Sequence, residues 1–209
     1  MISKRREPRE RNADAARDQI LKAAAQLFAK KGFQAATLRA VARAAGVSQP
    51  LIHHHFGSKR DLWQAVKARV VESYGDAQAA QFAMSEASPQ FLDDGLRAIL
   101  RWYQENPQAV RLGLWAQIQG DTSPWIGQRE QMEFIVRMLA DAQRKGIARR
   151  DVPPFHLAMA IGGMAYYWFL FKHRYAAVGE IDPDDAGTDE AFFESIRKLV
   201  LPPGKAGGR

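Results

Sequence analysis

The stretch at residues 37–59, TLRAVARAAGVSQPLIHHHFGSK, decides how this chain is read. Thr37 can cap a helix whose apolar positions Leu38, Val41, Ala42 and Ala45 recur at i, i+3, i+4 and i+7. Gly46 stands where the chain must leave that helix, in a left-handed turn that costs little only for glycine. Val47 then plugs inward and Ser48 caps a second helix. Pro50 falls in the first turn of that helix, where a missing N–H does no harm. Ile52 and Phe56, four apart, form the inward face and leave Gln49, Pro50, His53 and His54 pointing out. Two short helices joined by a tight turn make a helix-turn-helix, whose second helix offers its outward face to the DNA major groove.

The pattern extends upstream and downstream. DQILKAAAQLFAKKGFQAATLRAVARAAGVS, followed by HHHFGSKRDLWQAV, resembles the DNA-binding domain of the TetR family of one-component transcriptional regulators. Ile20, Leu21, Ala24, Phe28, Gly32, Phe33, Thr37, Ala42, Ala45, Gly46, Val47, Ser48, Phe56, Lys59 and Leu62 fall where that pattern expects them. The likeness covers roughly the first third of the chain. The family usually carries Tyr where this chain has His53, and commonly an aromatic where it has His55. Gln49 and Pro50 are similar to the start of the recognition helix of the tetracycline repressor. The resemblance implies a homodimer that binds a double-stranded DNA operator and responds to a small molecule held in its C-terminal half.

Charge supports the same direction. Residues 1–60 carry thirteen Lys/Arg and four Asp/Glu, a net of +9, whereas the other 149 residues carry seventeen and nineteen, a net of −2. The whole positive excess therefore accompanies the helix-turn-helix, where it would attract phosphates. The chain has no cysteine, so disulfides and thiolate metal sites are excluded. Its start, MISKRREPRERN, is polar and basic rather than a leader. The longest apolar run, residues 157–171, is fifteen residues with two glycines, short of the ~20 needed to span a bilayer. A cytoplasmic protein is expected.

Three domains follow: a basic arm at 1–12 without regular structure, a helix-turn-helix domain at 13–57, and a helical ligand-binding and dimerisation domain at 58–209. Within the head, a first helix is expected over about 14–31, broken by Gly32. Ser58 and Asp61 form a short-armed capping box at the start of a helix over about 58–75. Further helices are expected at about 89–104, 107–119, 124–145 with Pro124 in its first turn, 154–177, and 189–200 opened by Thr188. No alternating pattern survives as a strand. The fold class is all-α, with about nine helices.

The helix at 154–177 is apolar nearly all round and must be covered on every side. Ala158, Gly162, Gly163 and Ala165 would let a second backbone approach, with Phe169 as bulk, so the expected dimer pairs 124–145 and 154–177 of two subunits as a four-helix bundle. Aromatic density in the same domain suits a cavity for an apolar or aromatic molecule, with Trp102, Tyr103, Trp115, Gln119, Tyr166 and Tyr167 as candidate lining. His53, His54 and His55 splay about 100° apart along a helix and cannot converge on one ion, so no metal is expected. No nucleophile elbow, HExxH, P-loop or GxGxxG occurs, so no catalytic residue and no cofactor is assigned. An all-α enzyme, or a helical interaction protein that does not bind DNA, is the alternative class. On the leading reading, Gln49, Pro50, His53 and His54 meet bases and backbone, while Thr37, Ser48, His55 and Lys59 meet phosphates.

This reading predicts a steep salt dependence, because two subunits would neutralise roughly 6–10 phosphates. Deleting residues 1–11 should flatten the log–log slope of affinity against salt by about one unit or more. An unchanged slope would show that the arm does not touch the backbone.

Overall fold

The computed structural model describes residues 8–82, 89–121 and 124–202. Among the described residues the chain forms nine α-helices and no strand. They are α1 (Pro8–Ala35), α2 (Leu38–Ala45), α3 (Gln49–Phe56), α4 (Lys59–Phe82), α5 (Pro89–Glu105), α6 (Pro107–Ile118), α7 (Gln128–Arg144), α8 (Pro154–Gly179) and α9 (Ala186–Val200).

Several ends differ from the sequence expectation, each for a local reason. Helix α1 begins at Pro8, inside the stretch expected to lack structure, because proline suits a helix's first turn and no breaker follows until Gly32. Residues 1–7 of the expected arm, and the side chains of 8–12, lie outside the described residues. Helix α4 runs seven residues beyond the expected end at 75, since Gly75 alone does not stop a helix. Pro124 does not open α7; the chain enters that helix through Gly127 in the left-handed region (φ 82°). At α9 the cap is Asp185, whose carboxylate accepts the Thr188 N–H, so Thr188 lies inside the helix.

The helices form two compact units, Met1–Val70 with Arg111–Ile126, and Val71–Val110 with Gly127–Arg209. The expected boundary at 57/58 follows the motif; packing instead assigns the start of α4 and the second half of α6 to the head. In this first unit, Ile20, Ala24 and Phe28 of α1 meet Val41 of α2, Ile52 of α3, and Leu62 and Val66 of α4, all essentially removed from water. Burying each large side chain contributes about 1.5–3 kcal/mol. Trp63 sets its ring edge-on to Phe28 at 5.1 Å. Leu112 and Ala116 of α6 complete the same core.

Gly32 explains how α6 reaches α1. Its backbone (φ 73°, ψ 171°) interrupts the helix in a region essentially reserved for glycine. The Trp115 ring fills the space beside it, so that a Cβ on residue 32 would stand 2.8 Å from Cε3. The Trp115 indole N–H donates to the Ala29 carbonyl at 3.2 Å, one of the carbonyls left over near the break. A second tie is buried. The Lys67 ammonium, 2% exposed, pairs with the Asp121 carboxylate and stands 5.7 Å and 5.5 Å from the Trp63 and Trp125 ring centres. Removing Asp121 would leave that ammonium buried without its counter-charge, at about 3–5 kcal/mol.

The second unit packs Leu92, Leu96, Ile99 and Leu100 of α5 against Leu139 and Ala142 of α7, Leu157, Ile161 and Ala165 of α8, and Phe193, Ile196 and Val200 of α9. The apolar character of α8 on all sides hid which face turns inward. Ala158 and Ala165, expected at the dimer interface, are buried within their own subunit, and Phe169 packs there too. Gly162 and Gly163 have no neighbour within 4 Å of a built Cβ. The stripe left exposed is Phe155, Met159 and Tyr167, each about half accessible. No helix among the described residues is long and apolar enough to cross a membrane.

Gly32→Ala should destabilise the protein by about 1–3 kcal/mol from backbone strain alone, with the Trp115 clash added. Gly46→Ala, also at positive φ but with open space around it, should cost only about 1–2 kcal/mol. Thermal unfolding of both variants checks the order. Equal losses would mean that Trp115 yields freely at residue 32.

Candidate functional site

The helix-turn-helix is built by its caps. Thr37, in extended conformation, accepts the Ala40 N–H on Oγ1 at 3.2 Å and starts α2. Gly46 adopts the left-handed turn (φ 66°, ψ 29°) and Val47 N–H closes on Ala42 at 3.0 Å. Ser48 then accepts the Leu51 N–H and starts α3. Ile52 and Phe56 are buried, which fixes α3 in rotation about its axis. Gln49, Pro50, His53 and His54 are all exposed on the opposite side, as are Thr37 and Ser48, while His55 is half-buried. At the start of α4, Ser58 Oγ donates to Asp61 at 2.5 Å and accepts the Asp61 N–H at 3.1 Å, a reciprocal cap.

Two expected DNA contacts have partners inside the chain. The His53 ring donates from Nδ1 to the Gly57 carbonyl at 2.7 Å, closing the C-terminus of α3. This fixes the tautomer of the neutral ring and leaves Nε2 as the outward atom. The Lys59 ammonium donates to the Gln34 carbonyl at 3.1 Å and lies 4.5 Å from the Phe33 ring centre. Partial burial lowers its pKa below the ordinary lysine value. Lys59, expected to meet phosphates, thus also ties the start of α4 to the end of α1. Conversely, Arg39 and Arg43, absent from the expected set, are exposed on α2. The signal was present: they lie off the Leu38, Val41, Ala42 and Ala45 stripe, one turn apart. Among the described residues no cluster of three or more His, Cys, Asp or Glu could hold a metal ion.

The second unit contains a cavity of about 290 Å3. Tyr103 and Phe169 stack along it at 5.1 Å and 19°. Pro107 and Val110 of α6 add apolar wall, and Lys172, His173 and Asp189 supply polar groups. Of the candidate lining, Tyr103 borders this cavity directly. Burial, and next the neighbouring Tyr166, push the Tyr103 phenol up to about 12, so it stays a neutral donor. Tyr166, half-buried, donates its hydroxyl to the Val110 carbonyl at 2.9 Å. Trp102 is buried beside Tyr103, with its indole N–H on Ser73. Tyr167 is exposed. Trp115 and Gln119 belong to the first unit, so the sequence expectation for these two is corrected: long-range packing on Gly32 took Trp115 away from the cavity. Phe169, expected between subunits, lines the cavity instead. Sequence reading passed over Lys172 and Asp189. Lys172 was detectable as the first charge on α8, directly after the fifteen-residue apolar run 157–171.

Comparison with known proteins accords with both units. Residues 20–66 match the family described as bacterial regulatory proteins, tetR family, and residues 93–198 match the tetracyclin repressor-like C-terminal domain. The HTH-type transcriptional repressor NicS of Pseudomonas putida is 26% identical over 202 residues, covering 92% of this chain and 94% of that protein. The HTH-type transcriptional repressor AcnR of Corynebacterium glutamicum is 32% identical over 146 residues, covering 66% and 71%. Among solved structures, a TetR family transcription regulator from Marinobacter aquaeolei VT8 superposes with a TM-score of 0.73 at 20% identity, covering 92% and 98% of the two chains. The helix-turn-helix, the helical second unit and the matches to both halves have one reading: this chain is a DNA-binding transcriptional regulator, without enzymatic activity, and belongs to the tetR family of bacterial regulatory proteins.

Proposed function

We propose that the protein is a homodimeric repressor, released from a palindromic operator when a small molecule enters its second unit. The observation that carries this reading is the outward face of α3, where Gln49, Pro50, His53 and His54 are exposed while Ile52 and Phe56 hold the helix from behind. Gln49 and His54 then meet base edges, with His53 offering Nε2. Thr37, Ser48, His55, Arg39 and Arg43 meet phosphates, and the α2 and α3 N-termini add amide donors. The repressor sign is supported by the names of NicS and AcnR. The regulator works in the cytoplasm, where its operator is.

Dimerisation uses the stripe of α8 left exposed by its own core, Phe155, Met159, Gly163 and Tyr167. The glycine lets a symmetry mate approach closely, and the rings supply apolar area. Release rests on α6. Its first residues, Pro107 and Val110, border the cavity, and its later residues, Leu112, Trp115 and Ala116, pack in the head. Helix α6 is continuous over its twelve residues. A ligand that displaces the first turn therefore shifts the surface on which α1 and α4 rest. Because two recognition helices must match half-sites about 34 Å apart, a small displacement lowers affinity. Ligand and operator must then weaken each other by the same factor.

Selection of the full-length protein on random DNA should enrich a palindrome whose half-sites lie about one helical turn, or a multiple, apart. Failure to enrich any palindrome overturns the reading. Gln49→Ala should relax base preference at one position per half-site, at about 1–3 kcal/mol. Arg43→Ala should instead weaken all sequences alike and reduce the salt slope by about one per subunit. Sedimentation of Gly163→Arg should show a monomer with weakened operator binding. A wild type that is itself monomeric at micromolar concentration contradicts the proposed interface.

A further inference from the structure

The polar end of the cavity is specific enough to name the chemical class of its ligand. Lys172 and Asp189 are paired at 2.9 Å, with side chains only 11% and 4% exposed. Asp189 is well supplied with donors: Oδ1 also accepts the Trp168 indole N–H at 2.7 Å, and Oδ2 accepts the Gln104 amide at 3.0 Å. The ammonium is not matched in the same way. It has three N–H bonds and gives one to Asp189. Lys172 itself borders the cavity, with its side chain largely withdrawn from solvent. A buried donor gains most from an acceptor that carries charge.

Three ligand types can be compared at this site. A cation would want the ring faces of Tyr103 and Phe169, but the Lys172 ammonium already stands 5.2 Å from the Phe169 centre and repels it. A neutral hydrocarbon would fill the apolar wall and leave the ammonium donors unanswered. A carboxylate answers them. The negative charges in the lining oppose it weakly, because Asp189 is offset by Lys172 and by two neutral donors, and Asp184 is exposed to water. His173, exposed at the rim, can donate as well. The volume suits a small ligand. At about 30 Å3 for a water-sized group, 290 Å3 holds on the order of ten non-hydrogen atoms, which is one aromatic ring with its substituents.

We propose that the effector is a monocyclic aromatic carboxylate, its ring against Tyr103, Phe169 and Val110 and its carboxylate on Lys172, with His173 at the rim. This rests on the reading of the second unit as the effector-binding part. Contact with Val110 puts the ligand on the first turn of α6, which Tyr166 holds through the Val110 carbonyl.

Benzoate, benzamide and benzylamine are matched probes, alike in size and differing in charge. Calorimetry on the full-length dimer should give benzoate at least about a tenfold advantage over the other two. Saturating benzoate should also weaken operator binding. The double variant K172M/D189N removes both charges together, so neither is left buried alone. It should bind benzoate no better than benzamide and keep its operator affinity without ligand. The wild-type probe series decides the matter even if that variant fails to fold. Benzamide or benzylamine binding as well as benzoate, or no detectable binding of benzoate, overturns the assignment. Benzoate binding that depends on Lys172 but leaves operator affinity unchanged upholds the carboxylate site and contradicts the effector reading instead.

Discussion

The face of Trp115 against the bare backbone of Gly32 is the constraint on which the architecture turns. A single missing Cβ gives the indole its place, and the carbonyl freed near the helix break accepts its N–H. Through that contact the second half of α6 becomes part of the head, together with Leu112 and Ala116 in the core. The buried Lys67–Asp121 pair adds a second tie just beyond the end of α6. Well-packed contacts of this kind do not deform gradually, so movement of α6 must be borne by its neighbours in the head. The twelve residues of α6 are thus divided between the core that positions α3 and the unit that holds the cavity.

The DNA-facing surface illustrates how a fold protects residues it does not bury. Exposed Gln49 and His54 depend on Ile52 and Phe56, which fix the rotation of α3, and on two serine and threonine caps that fix where each helix begins. His53 and Lys59 add to this scaffold from outside. One closes the end of α3 on Gly57 and the other joins α4 to the Gln34 carbonyl. Part of the basic and imidazole character of the head therefore holds its shape, while Arg39 and Arg43 are left exposed on α2.

Much of the first unit was legible in the sequence because its determinants are local. Thr37, Gly46, Ser48 and the Ser58–Asp61 cap each act within four residues, and the apolar stripes of α1 and α2 have a clear period. What escaped was long-range or lacked a period. Trp115 meets Ala29 across 86 positions, and no pattern within α6 announces it. Helix α8 is apolar on every side, so periodicity could not tell that Ala158 and Ala165 face inward while Met159 and Tyr167 do not. Thr188 was an acceptable cap by type, but the structure uses Asp185, three residues earlier. At the cavity, aromatic residues were visible as a class, but the Lys172–Asp189 pair spans two helices and is a matter of tertiary packing.

The central claim is that α6 couples the second unit to the DNA-reading helix, and operator DNA alone suffices to test it. Coupling is reciprocal, so binding at α3 must alter the stability of the elements that would carry the signal. Amide hydrogen exchange should be compared for the free protein and its operator complex. The account predicts changed protection in α2 and α3 and also through α6 as far as residues 107–110, with Tyr103 and Phe169 segments following. Changes confined to residues 37–60, with α6 exchanging identically in both states, would contradict it.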